Sequence, residues 1–514
     1  MKPNNWKIGI GISIIALAVV IGNYRVKKNE LYIPQVEANK EEIVLKWMIF
    51  GEKSSNYQGV NARFNKELQQ YYPGTTVEFD IIPIENYKER WDMKMATNEA
   101  VDLAWIGNDI FNYTEEVKKG SFIALDYLLS TYGQNLLSEI PSEIWKMQQR
   151  EGKTYSVPLL GALYRKDYEI VLNKSYAASY NSLQELIRMN RESPYTTKEC
   201  YKSIEAYLAY IDRQDLSHTG ISYKTFSKIV DKGYEGIYGP ESPFVIKIFD
   251  KKMTVYNKYE LENYRDYFET MYEWYQKGYI RKDIEELLDP YKEDGKKFGS
   301  ILFLQEYGEH GVVRDNVDTE YEIISIPIQN YKYIAYDSTR NAVAIPKTSK
   351  NPKRALEIIN LLNSEEGAKL YQLLVNGFEG RHYVQLPNGQ VRSVNDESGK
   401  PLYKLSHYAL GNVFLDFENT EGEFEQIRTY NKKAIRSPLI GFELDTRMIV
   451  LEMKKIDLVV RQYRDKLISG TCENWEEVYQ EFIEKMKQAG SEKVIEEIQR
   501  QIDLFTQINN TNIN

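Results

Sequence analysis

The chain has 514 residues and a formal charge of −9, from 75 acidic and 66 basic side chains. At 42% hydrophobic and 27% charged it is not a disordered chain, and 30 Gly with 16 Pro exclude a collagen or a low-complexity linker. The acidic balance counts against a nucleic-acid partner, which needs a concentrated positive field against phosphate.

Lys2 and Lys7 precede a 15-residue apolar run over residues 8–22, and Arg25, Lys27 and Lys28 follow it. A basic start and an apolar run are the pattern of an export signal. With Trp6 and Tyr24 as interfacial edges the segment also approaches the roughly 20 residues of a membrane span. Residues 1–30 are therefore expected to direct export as a signal or membrane-anchor segment. The protein would then sit at the outer face of the cell membrane, or be released if the segment is cleaved. No cysteine follows the run, so lipid attachment there is chemically excluded.

After a polar tether the body begins with Ile43–Phe50, whose near-continuous apolarity suits an interior parallel strand. Val60, Phe64 and Leu68 have helix spacing, and Pro73-Gly74 stops that helix. Strands are expected at 76–82 and 101–105, with a helix over 87–95 between them. Strand, helix, strand, helix, strand is the grammar of a doubly wound α/β unit. A helix-rich stretch covers 112–150. Residues 155–160 read as a strand, but Pro158 confines it to an edge or a crossing.

The pattern restarts after Tyr164, with strands expected near 169–172, 244–249, 300–304 and 322–327 and helices over 182–213, 221–231 and 261–279. Residues 341–345 return to an extended piece. Asn351-Pro352 opens a helix, Ser364 caps the next until Gly377, and amphipathic helices end the chain. Lobe one is expected to comprise 43–158 and 335–380, and lobe two 160–333 and 385–508 with the C-terminal helices.

Four histidines occur, no two within ten residues, and no HExxH, phosphate loop, dinucleotide loop or GxSxG elbow is present. No metal, no cofactor and no catalytic residue is expected. Cys200 and Cys472 lie in no metal or redox motif and read as free thiols. Tyrosine is abundant at 41 copies, which fits either general composition or an aromatic-lined cleft. Trp274 to Asp283 has helical spacing, so its aromatics read as core. The enzyme alternative is an exported glycan-active hydrolase, which needs two carboxylates about 5–10 Å apart, a pairing that spacing alone does not reveal.

Three stretches resemble the extracellular solute-binding proteins of bacterial ABC importers, of the carbohydrate and oligosaccharide group. They are residues 347–367, with Ser349-Lys-Asn-Pro352 and Ser364-Glu-Glu-Gly367; Val375-Asn-Gly-Phe-Glu-Gly-Arg-His-Tyr383; and the tail from Ser437-Pro438-Leu-Ile-Gly441-Phe442 to Ala489-Gly490 and Gln501. The resemblance spans about 43–508. It implies an α/β, two-lobed, periplasmic-binding-protein-like fold with an interlobe hinge, an N-terminal hydrophobic helix and a helical C-terminal region. It also implies a non-enzymatic, monomeric receptor that takes up an organic solute, most readily a sugar, and delivers it to the transmembrane subunits of an ABC permease. A ligand-sensing surface protein without transport is the other reading of the same fold. The family commonly carries a lipid-bearing cysteine after the apolar run, where this chain has Asn23 and Tyr24.

On that reading the ligand sits between the lobes at the C-terminal ends of strands. Phe50, Glu52, Trp105, Asn108 and Asp109 follow strands of lobe one, Tyr164, Arg165, Tyr307 and Glu309 are placed opposite, and Arg340 and Asn341 are on a crossing segment. Trp105 is either core or a stacking platform for a flat ligand.

Overall fold

The computed structural model describes residues 42–107, 110–161, 163–164, 168–213, 221, 226–239, 241–286, 301–305, 322–336, 341–415 and 421–511. The expected N-terminal hydrophobic segment lies outside them. Among the described residues no helix is long and apolar enough to cross a membrane.

Of the principal elements, the first in chain order are β1 (Ile43–Phe50), α1 (Tyr57–Leu68), β2 (Thr75–Ile82), α2 (Ile84–Ala96), β3 (Leu103–Gly107), α3 (Tyr113–Lys118) and β4 (Ser156–Pro158), with short helices and a hairpin between the last two. Next come β5 (Tyr168–Asn173), α4 (Leu183–Glu192), α5 (Lys198–Asp212), β6 (Tyr234–Gly236), β7 (Phe244–Lys247), α6 (Glu262–Lys277), β8 (Ile301–Gln305) and β9 (Ile323–Pro327). The remainder is β10 (Tyr333–Ile334), β11 (Asn341–Ala344), α7 (Pro352–Leu362), α8 (Ala368–Asn376), the hairpin β12 (Tyr383–Gln385) and β13 (Val391–Ser393), α9 (Glu421–Lys433), β14 (Ile435–Arg436), α10 (Val450–Ser469), α11 (Trp475–Gln488) and α12 (Ser491–Thr511).

The first sheet has the order β2-β1-β3-β11-β4. β1 is parallel to both β2 and β3, in accord with its near-continuous apolarity, while β11 runs antiparallel to β3 and β4. Pro158 falls on the edge strand, where a missing N–H costs no ladder bond. Tyr57, Val60, Phe64 and Leu68 form the buried stripe of α1 over this sheet. A second set of strands, β8-β5-β9 and β7-β6, belongs to a separate hydrophobic core that contains Ile170, Phe244, Trp274 and the buried faces of α10, α11 and α12. Trp274 is fully buried there, in accord with its helical spacing.

Among the described residues, membership changes from one core to the other three times: between Tyr164 and Ile170, between Ile328 and Ile334, and between Ala434 and Leu439. β10 and β14, from the second and third passages, pair in parallel. The placement of all of 385–508 in lobe two needs correction. Tyr403, Leu405, Ala409, Leu410 and Ala434 are buried in the first core, because the third passage comes only at 434–439. Smaller differences have local causes. β3 starts at Leu103, since the Asp102 carboxylate is turned into the structure. α8 starts at Ala368, since Ser364 Oγ accepts from Gly367 N–H and closes a turn before the helix. Of the helix expected over 221–231, residues 222–225 lie outside the described residues, Phe226 is helical and Ser227–Asp231 is a 3₁₀ turn.

Two of the sequence stretches singled out above act in this framework. Asp102, 2% exposed, accepts from Ser349 Oγ at 2.7 Å and from the N–H groups of Lys350, Asn351 and Lys46 at 3.2, 3.3 and 3.0 Å. The Ser349-Lys-Asn turn therefore docks the start of α7 onto the sheet. In the second stretch, His382 is buried between Phe378 and Tyr403, with ring centroids 5.3 Å away on both sides, and its Nδ1 accepts from Phe378 N–H. Arg381 reaches Asn56 Oδ1 at 2.7 Å, so this knot holds the β12–β13 region against the loop after β1.

Candidate functional site

β1 ends at Phe50, β3 ends at Gly107, and Asn341 opens β11 directly opposite Gly107. This topology gathers three of the sequence candidates at one end of the sheet. Trp105 donates its indole N–H to Asn341 Oδ1 at 3.0 Å. The Phe50 ring lies 4.4 Å from the indole, and Tyr87 of α2 meets it edge-on at 5.2 Å. The Tyr87 hydroxyl donates between the carbonyls of Met48 and Trp105, at 2.9 and 3.0 Å. Burial holds that phenol well above its usual pKa, so it stays a neutral donor. The indole also lies over Gly107, where a Cβ would sit 2.2 Å from it. Trp105 is 3% exposed in this arrangement, with Phe50 half-buried beside it. The aromatic contacts continue inward from Tyr87 to Phe111 at 5.8 Å and from Phe111 to Trp91 at 5.5 Å.

The other candidates lie apart from this cluster or outside the described residues. Glu52 is on the loop after β1, exposed, with Lys400 Nζ 3.5 Å away. Tyr164 is buried on the first passage, edge-on to Tyr430 of α9 at 5.7 Å, with the Lys332 ammonium 5.3 Å from its ring. Its neighbours are fixed by Asn431, which accepts from Leu163 N–H and donates to the Gly161 carbonyl, both at 2.8 Å. Asn108, Asp109, Arg165, Tyr307, Glu309 and Arg340 lie outside the described residues.

A second feature was not foreseen from sequence. A cleft of about 620 Å³ opens between the lobes, with Phe111, Tyr113 and Arg150 on one wall and Tyr238, Tyr336 and Glu443 among the residues of the other. Tyr113 donates to the Gln148 carbonyl at 2.9 Å, and burial pushes its phenol up to about 12. Arg150 caps the same ring, its guanidinium 4.7 Å from the centroid. Opposite, Asp445 is held down to about 2 by the hydrogen bonds of Arg447. The sequence signal for this wall was the Ser437–Phe442 stretch, which leads straight into it; its role as a cleft wall depends on the third passage. Both cysteines are buried free thiols, and among the described residues no three His, Cys, Asp or Glu side chains are grouped to hold a metal.

Comparison with known proteins places this geometry. The profile of a family described as a domain of unknown function, DUF3502, matches residues 438–507, the loop and helices that follow the third passage. A carbohydrate ABC transporter substrate-binding protein of Streptococcus pneumoniae is 24% identical over 473 residues, 90% of this chain and 91% of that protein. The crystal structure of the N-glycan transport solute binding protein of Streptococcus pneumoniae superposes with a TM-score of 0.72 at 22% identity, covering 90% of this chain and 99% of that one. An HMO-binding, ABC-transporter-associated solute binding protein of Bifidobacterium longum infantis gives a TM-score of 0.62 at 14% identity, over 91% and 99% of the two chains. The chain has the two-lobed α/β fold of these proteins.

Proposed function

We infer that this chain is an extracellular carbohydrate-binding receptor of the ABC-transporter solute-binding family, which captures an oligosaccharide between its lobes and delivers it to a permease. The observation that carries the inference is the extent of the likeness: it covers nine-tenths of the chain and includes both lobes and the C-terminal helices, beyond any single motif. Binding without bond cleavage is the chemistry this fold supports. Ligand enters between two lobes, and affinity for one lobe arrangement shifts the balance toward it.

The ligand site in this reading is the strand-end cluster of Phe50, Trp105 and Asn341, with Glu52 of the loop after β1 as a further candidate. Asn108, Asp109, Tyr164, Arg165, Tyr307, Glu309 and Arg340 belong to the same proposal. Phe50 is the half-buried aromatic face available to a sugar, backed by the indole that Asn341 orients. The N-terminal apolar segment would hold the receptor at the outer membrane face or be removed on export, and the receptor would act as a monomer.

Calorimetry on residues 31–514 tests the reading, with Man5GlcNAc and kestose, ligands named for two of the relatives, in a wider oligosaccharide panel. Saturable binding of one oligosaccharide class is expected, with Phe50→Ala about ten-fold weaker, as loss of one stacked ring implies. Absence of binding across the panel would refute the receptor reading. Release of new reducing ends by the wild-type protein would establish a hydrolase instead.

A further inference from the structure

The cleft of about 620 Å³ borders the hinge itself. Tyr336 lies just after β10 on the second passage, and residues 441–447 continue directly from the third. Across it runs an ionic contact that neither core needs for its own packing. Glu443 follows Phe442, a member of the second core, and its carboxylate lies 3.5 Å from Arg150 Nε and 3.8 Å from Lys118 Nζ, both on first-lobe elements.

Both partners are held rigidly within their own lobes. Arg150 Nε donates to Thr114 Oγ1 at 2.7 Å, its Nη1 donates to the Met147 and Gln149 carbonyls at 3.1 and 2.7 Å, and its guanidinium covers Tyr113. On the other wall, the Gln501 amide of α12 clamps the loop backbone, accepting from Asp445 N–H at 2.8 Å and donating to its carbonyl at 2.9 Å. Arg447 occupies both oxygens of the Asp445 carboxylate, which feels the Lys118 charge only at longer range. Lys118 is shared with Glu115, 3.8 Å away, and Arg150 is the better ordered partner.

Two stiff walls joined by a charge contact make its length a function of lobe angle. Intralobe contacts keep their lengths when one lobe rotates against the other; the Glu443–Arg150 contact does not. We propose that Glu443, facing Arg150 and Lys118 across the hinge-side cleft, is an electrostatic latch that favours this lobe arrangement and so sets how much of the receptor is in it before ligand arrives. A partly exposed ion pair of this kind changes a population ratio by about two- to five-fold, enough to tune affinity through the populations alone.

Single-molecule energy transfer without ligand tests this independently of the receptor reading. Dyes go on Tyr127→Cys of the first lobe and Leu458→Cys of α10, 73% and 66% exposed, with both native cysteines buried. Glu443→Gln should shift the ratio of lobe-angle populations by about two- to five-fold, and Glu443→Gln with Arg150→Met should shift it no further. Raising salt from about 0.05 to 0.5 M should move the wild type toward the Glu443→Gln distribution and leave that variant in place. Identical distributions for wild type and Glu443→Gln would overturn the latch. So would a shift confined to Arg150→Met, which would trace to Arg150's contacts within its own lobe.

Discussion

Lys232 is 2% exposed, and its ammonium donates to the Asn190 carbonyl at 2.5 Å, near the C-terminal end of α4. A helix C-terminus favours a cation, but one carbonyl does not replace the water a buried ammonium gives up. Desolvation brings its pKa down to about 8. Because an unfolded lysine titrates near 10.4, the unfolded chain binds more protons between the two values. Stability at this site therefore rises as pH climbs from about 8 to 10.4, and below 8 the full penalty is present. Lys232→Met should raise stability at pH 7 by about 1–3 kcal/mol and flatten the rise toward alkaline pH, as measured by urea unfolding at pH 7 and 9.5. A less stable Lys232→Met protein would show that the carbonyl contact outweighs desolvation. Nothing in the sequence marks this lysine, since the side chain is enclosed by α4 and α5, which precede it by tens of residues.

α10 ends where Gly470 takes φ +72, and a Cβ there would lie 2.2 Å from the Met271 carbonyl oxygen of α6. The residue serves both the left-handed turn and the close approach of two helices, so Gly470→Ala should cost about 2–4 kcal/mol. Thermal unfolding checks this against Gly389→Ala, also at positive φ (+85) but with open space around it, for which only the backbone cost of about 1 kcal/mol is expected. Equal losses in the two variants would remove the helix–helix contact from the explanation. The elements around this glycine were legible because periodicity and turn residues are local: β1, α1, α6 and α12 follow directly from apolar spacing. The partner of each element was not. Gly470 was part of the recognised tail, yet only the packing shows that it faces Met271. Of the proposed site residues, Phe50, Trp105 and Asn341 were singled out because each lies at or near an expected strand end, and the packing brings their side chains together. Arg150 and Glu443 were missed because they are 293 positions apart and meet only across a cleft.

At the scale of the molecule, two cores are joined by three passages, and the passages are tied to the second lobe through Glu235. That carboxylate is fully buried on β6 and accepts from Tyr333 Oη at 2.6 Å, Ser437 Oγ at 2.6 Å and Tyr336 N–H at 2.9 Å. It thus grips the second and third passages together, while Arg436 of the third reaches Glu143 in the first lobe at 3.2 Å. These ties are few compared with the contacts within each core, so each lobe should open as its own cooperative unit. Asp102→Ala strips the acceptor from three backbone N–H groups and one hydroxyl within the first core, a loss of about 2–4 kcal/mol by the cost of orphaned buried donors. Hydrogen exchange read by mass spectrometry should then speed up in β1, β3 and β11 of this variant and stay unchanged in α10 to α12. A bound oligosaccharide that touches both lobes should slow exchange in both, because it stabilises only the joined state. Equal acceleration in the two lobes of unliganded Asp102→Ala would mean that the Glu235 grip makes them one unfolding unit, and that the hinge is stiffer than three passages imply.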